Sequence, residues 1–163
     1  MANPNVSSGY REQYEGTKRY FKRLTDLKSG IAHVSDSQVY TDDLYAFFQN
    51  CYHLKDWIRN DAACSAWSDV ETHITSNRYL RICADLCNGT KHLALIRRRS
   101  PENPAFSGGD INLEITDGIG REKIKIAIDF KISTSSGDLD GLDVAHQCMQ
   151  AWAAFLRANG APP

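Results

Sequence analysis

The chain has 163 residues, 42% of them hydrophobic and 24% charged, with a formal net charge of −1 at pH 7. That length accommodates one domain with a full core over 1–163, and the near-neutral balance excludes a globally basic nucleic-acid binder while leaving local basic patches open. No apolar run reaches the ~20 residues of a membrane helix and the polar N-terminus lacks a signal-peptide core, so the expectation is a cytoplasmic protein without a membrane partner. The cysteines are Cys51, Cys64, Cys83, Cys87 and Cys148. Their odd number, with Cys51, Cys83 and Cys148 among apolar residues on expected helices, reads as reduced core thiols rather than a disulfide framework.

Residues 1–6 are expected to be loose. Ser7 or Ser8 caps a helix over about 9–28, with Tyr10, Tyr14, Phe21, Leu24 and Leu27 near helical spacing and Gly30 as its stop. Arg11, Lys18, Arg19, Lys22, Arg23 and Lys28 give this helix a modest basic face, either a solvated surface or a phosphate contact. After a polar connector over 31–40, Thr41 is expected to cap a second helix with Asp42 and Asp43 in its first turn. Leu44, Phe47, Phe48, Cys51, Leu54 and Ile58 then make one broad apolar stripe, widened by Tyr45, Tyr52 and Trp57.

Asn60-Asp61 ends that helix, and a short helical piece over about 65–74 follows. Ser76 is expected to cap a helix over 77–88 that stops at Asn88-Gly89, placing Lys91 and His92 just past the break. Residues 97–110, with Arg97, Arg98 and Arg99 and then a Ser-, Pro- and Gly-rich stretch, read as an exposed loop. Alternation over 111–115 and 124–132 predicts a β-hairpin, about 111–132, with Ile124, Ile126, Ile128, Phe130 and Ile132 on its buried face. An isolated hairpin is marginal, so it should lie on the helices or join a partner's strands. Leu142, Ala145, Cys148, Met149, Trp152, Phe155 and Leu156 mark a last helix ending at Asn159-Gly160. The fold class is mainly α: a bundle of four to five helices with a β-hairpin inserted before the C-terminal helix.

Few motifs carry chemistry. Cys83 and Cys87 lack the paired spacings of a zinc site and read as core, so no metal and no cofactor is expected. No nucleophile elbow or phosphate loop occurs. What remains is a polar group from two helices: His53 and Asp56 on the second, and Arg81, Asp85, Asn88, Lys91 and His92 on and after the 77–88 segment. His92 is suited to move a proton, oriented by Asp56 or Asn88, with Lys91 or Arg81 stabilising charge on a phosphate. The same residues also read as structural, with a buried His–Asp pair bridging helices, Asn88 as a cap and Lys91 in solvent.

The phrase Tyr52-His-Leu-Lys-Asp-Trp-Ile58, followed by Asn88-Gly-Thr-Lys-His92, resembles a set of uncharacterised small bacterial helical proteins over about 41–96. Their layout in turn resembles the HEPN superfamily of nucleotide- or RNA-associated helical bundles found in toxin–antitoxin and antiviral defence systems. The resemblance implies a metal-independent ribonuclease with an Arg, four to six residues, then a His. His92 would be that histidine and Asn88 the polar residue after the Arg. The Arg would fall at 85–87, where this chain has Asp85, Leu86 and Cys87, so Arg81 or Lys91 would have to supply the charge, with His53 and Asp56 in support. RNA or a nucleotide would be the partner. The alternative is a non-catalytic binding or assembly module in which these residues fix helix packing and the chain forms a homodimer.

Overall fold

Helical spacing of apolar residues dictates most of the architecture. Tyr10, Tyr14, Leu24 and Leu27 line the buried side of α1 (Tyr10–Ser29), and Leu44, Phe47, Phe48, Cys51, Leu54 and Ile58 that of α2 (Gln38–Asn60). A 3-10 turn (Ala62–Cys64) and a short helix, α3 (Val70–Ser76), lead to α4 (Arg78–Lys91), and α5 (Gly141–Ala158) closes the bundle. This computed structural model describes residues 9–32, 36, 38–91, 98–118 and 121–163. Trp152 of α5 is fully buried between the helices and donates its indole N–H to the Cys51 carbonyl of α2 at 3.1 Å. Among the described residues no helix is long and apolar enough to cross a membrane.

The strands form one antiparallel sheet. β2 (Ala105–Gly118) and β3 (Arg121–Thr134) make a long hairpin, with Ile111 opposite Ile128 and Leu113 opposite Ile126. β1 (Ile31–Ala32) and β4 (Gly137–Asp140) both pair with β3 on its other side, which leaves β2 at the edge. The strand bulges between Phe106 and Gly108, and at Gly109 a Cβ would stand 3.0 Å from the Asp129 carbonyl oxygen, so any side chain there would press the two strands apart by a few tenths of an ångström. Ile126 and Ile128 bury against Leu27 of α1 and Tyr40 of α2, and Ile132 joins the main helical core. Lys28 ties α1 to the sheet and to the start of α5, reaching Asp129 at 3.2 Å and Asp140 at 2.6 Å.

The mainly helical class and the hairpin before the last helix agree with expectation; the element ends differ for identifiable reasons. Ser7 and Ser8 lie outside the described residues; Gly9 precedes the first residue of α1, whose Tyr10 N–H donates to Asp61 Oδ2 at 3.0 Å. α2 begins three residues before the expected cap at Thr41, where Asp36 Oδ1 accepts the Gln38 N–H at 2.9 Å. The piece expected over 65–74 is a shorter helix that starts only at Val70, capped by Asp69, and the next helix is capped by Asn77 rather than Ser76: Asn77 Oδ1 accepts from the N–H groups of Tyr79 and Leu80. The stop at Asn88-Gly89 does not occur. α4 continues to Lys91, because Gln49 of α2 donates to Thr90 Oγ1 at 3.2 Å and Thr90 in turn bonds the Cys87 carbonyl, which offsets the ~1 kcal/mol helical cost of Gly89. The expected loop 97–110 is a strand from Ala105 onward, and Ser100 within it is buried.

Candidate functional site

α2 and α4 pack through their apolar stripes, and that packing decides which polar side chains meet. His53 comes against Cys87, with Nε2 3.9 Å from Sγ, and Asn88 stands near Tyr52 across the same seam, where it acts to lower that phenol. One turn along α2, Lys55 is buried apart from its tip, and its Nζ bonds Asp56 Oδ1 at 3.0 Å and Glu71 Oε1 of α3 at 3.1 Å. Arg99 reaches the other Glu71 oxygen at 2.8 Å, and Arg59 stands 3.6 Å from the first. The Tyr52 ring lies under two cations, Lys55 Nζ at 5.0 Å and Arg99 Cζ at 5.6 Å.

Asp85 anchors this group from below. It is fully buried, yet both oxygens are satisfied, accepting the main-chain N–H groups of Arg99 and Ser100 at 2.7 Å each. Three cations (Lys55, Arg59, Arg99) therefore stand against three carboxylates (Asp56, Glu71, Asp85), so the charges of this group balance among the described residues. Burial raises Tyr52, an effect that Arg99 and Lys55 oppose. Burial works against charge on Glu71 too, but Arg99 and Lys55 outweigh it and hold its carboxyl below the usual range. Lys55 is raised, its desolvation overcome by Asp56 and Glu71.

The residues singled out from the sequence fall into separate places. His53 and Asn88 share the α2–α4 seam, while Asp56 belongs to the ion cluster. Arg81 is turned away: its Nη1 donates to the Thr75 carbonyl at 2.8 Å, beyond the start of α4, and its Nε is buried without a hydrogen-bond partner. Arg81 and Asn88 are seven residues apart on one helix, an axial distance of about 10 Å. Lys91 is the last residue of α4, one turn beyond Asn88, and His92 lies outside the described residues. No family model, curated protein or solved structure matches this chain. Its chemistry is read from its own residues.

Two features went unforeseen. Glu71 and Arg99 complete the ion cluster from segments that carry no local signal of contact. The other is on the sheet. Ile111, Leu113 and Ile115 of β2 are 55%, 62% and 64% exposed, although they share a face with the buried Ile126 and Ile128. Directly opposed residues of an antiparallel pair point the same way, so the apolar face that β3 buries on the helices runs out into solvent on β2. Leu44, Tyr45, Phe106, Phe130 and Ile128 line a hollow of about 160 Å³ that adjoins Ile111. Alternation in both strands was the available signal for this row.

Proposed function

We propose that this protein is a non-catalytic binding and assembly module that pairs with a second copy of itself through β2. The observation that carries this reading is the exposed row Ile111, Leu113, Ile115 on an edge strand. The row is self-complementary: a two-fold antiparallel pairing centred on Leu113 sets Ile111 of one copy opposite Ile115 of the other and keeps all six side chains on one face. On the reverse face the same register sets Asn112 against Glu114, so those carboxylates do not oppose each other directly. Covering each of these half-exposed side chains contributes on the order of 1–2 kcal/mol, and the open main-chain groups of the strand gain partners. The balanced ion cluster beneath supports a structural role for Lys55, Asp56 and Asp85. Sedimentation analysis tests the pairing. Wild type is expected to be a dimer at micromolar concentration, and Leu113→Lys a monomer with an unchanged circular dichroism spectrum. A wild type that stays monomeric to its solubility limit rejects the reading.

A second reading is the HEPN-like RNA- or nucleotide-associated domain, a metal-independent ribonuclease of a bacterial defence or toxin–antitoxin type. It draws support from the last turn of α4, where positions 88 and 91 share a helical face directly before His92. His92 would exchange the protons while the ribose 2′-hydroxyl attacks its own phosphate. Arg81, turned toward Thr75, is poorly directed for the cationic role, which falls to Lys91. RNA cleavage in EDTA by wild type, lost in an equally folded His92→Ala, would establish this activity. Absence of cleavage by folded wild type on a mixed RNA pool leaves the assembly module.

A further inference from the structure

Three thiols from three helices meet in the core. Cys51 on α2, Cys83 on α4 and Cys148 on α5 are each fully buried, and their Sγ atoms lie within 4.8 Å of one another. All are free. A small apolar side chain would satisfy each helix's packing on its own, whereas three sulfurs converging on one point also make a ligand set. Three sulfurs bonded at about 2.3 Å to a pyramidal central atom stand about 3.4 Å apart, so the trio would have to close by up to about 1.4 Å.

Charge selects the ligand. Three thiolates around a monovalent or divalent ion leave a net negative charge in a region sealed from water, which is costly. A trivalent centre leaves none. We propose that Cys51, Cys83 and Cys148 form a capture site for a trivalent, thiol-seeking metalloid, for which arsenous acid, As(OH)3, is the probe. Three As–O bonds break as three As–S bonds form, and each thiol proton leaves on a departing hydroxide as water. The arsenic stays trivalent, three waters are released, and a neutral reactant gives a neutral product. Burial pushes the Cys83 and Cys148 thiols well up. Because the trio is sealed, entry requires α2, α4 and α5 to part briefly, and uptake is slow and quickened by mild denaturant.

The test uses reduced full-length protein incubated with arsenous acid and desalted. One arsenic per chain is expected, with a mass gain of one arsenic less three hydrogens, and X-ray absorption at the arsenic edge should show three sulfur neighbours. Cys51→Ala, Cys83→Ala and Cys148→Ala should each lose the three-sulfur shell, while Cys64→Ala and Cys87→Ala keep it. Truncating a core thiol can unfold the chain, so the wild-type absorption spectrum decides by itself. No retained arsenic, a mixed sulfur–oxygen shell, or uptake of Cu(I) or Zn(II) in its place would overturn the proposal.

Discussion

Asp85 sits without solvent contact on α4 and holds the main-chain N–H groups of Arg99 and Ser100 with its two oxygens. Charge-assisted bonds to buried amides are the strong kind, and an amide side chain in their place turns one acceptor into a donor facing an N–H. Asp85→Asn is therefore expected to lower stability by about 2–3 kcal/mol, read by urea denaturation. From the sequence, Asp85 was merely a polar residue in an apolar run; its partners are main-chain groups fourteen and fifteen positions on, which no spacing rule reveals. Glu71 and His73 both contribute to the pH response. Glu71 is held low by Arg99 and Lys55 against the pull of burial, so its contribution is present above the ordinary glutamate range and lost as pH falls through it. His73 is lowered by burial, partly offset by its Nε2–H bond to the Ala151 carbonyl at 3.1 Å. Folding favours its neutral form, so that contribution is present above the ordinary histidine range and lost as pH drops below it. Stability should thus decline in two stages on acidification, with His73→Gln flattening the first and Glu71→Gln reducing the second, to which Asp140 and Glu102 also contribute.

At the level of elements, periodicity located the helices but not their ends. The α1 and α2 starts depend on Asp61, fifty-one residues from the N–H it accepts, and on Asp36, just outside the helix. A glycine after asparagine reads as a stop, yet Gly89 has no left-handed φ and nothing within 4 Å of a Cβ built on it. Gly89→Ala should accordingly stabilise the protein by about 1 kcal/mol, seen as a raised melting temperature. Destabilisation would mean that α4 ends where its sequence suggests. β3 was legible from its strict alternation, whereas β1 and β4, with two and four residues, are too short to carry a pattern. The same alternation in β2 could not disclose that the helices would cover one strand and leave the other bare.

For the molecule as a whole, pairing through β2 would couple stability to concentration. The wild-type melting temperature should rise with protein concentration, and that of Leu113→Lys should not. The change of hydrophobic period, from helical to alternating and back, made the fold class readable. The ion cluster was not, because Tyr52, Lys55, Glu71, Asp85 and Arg99 come from four segments whose juxtaposition only the packed bundle creates. β1 and β4, of two and four residues, form the opposite edge of the sheet, so β2 is the one long open strand edge among the described residues. Because the two-fold pairing uses the same edge of both copies, it closes on itself: once two copies have joined, neither has its long edge left to recruit a third through that contact.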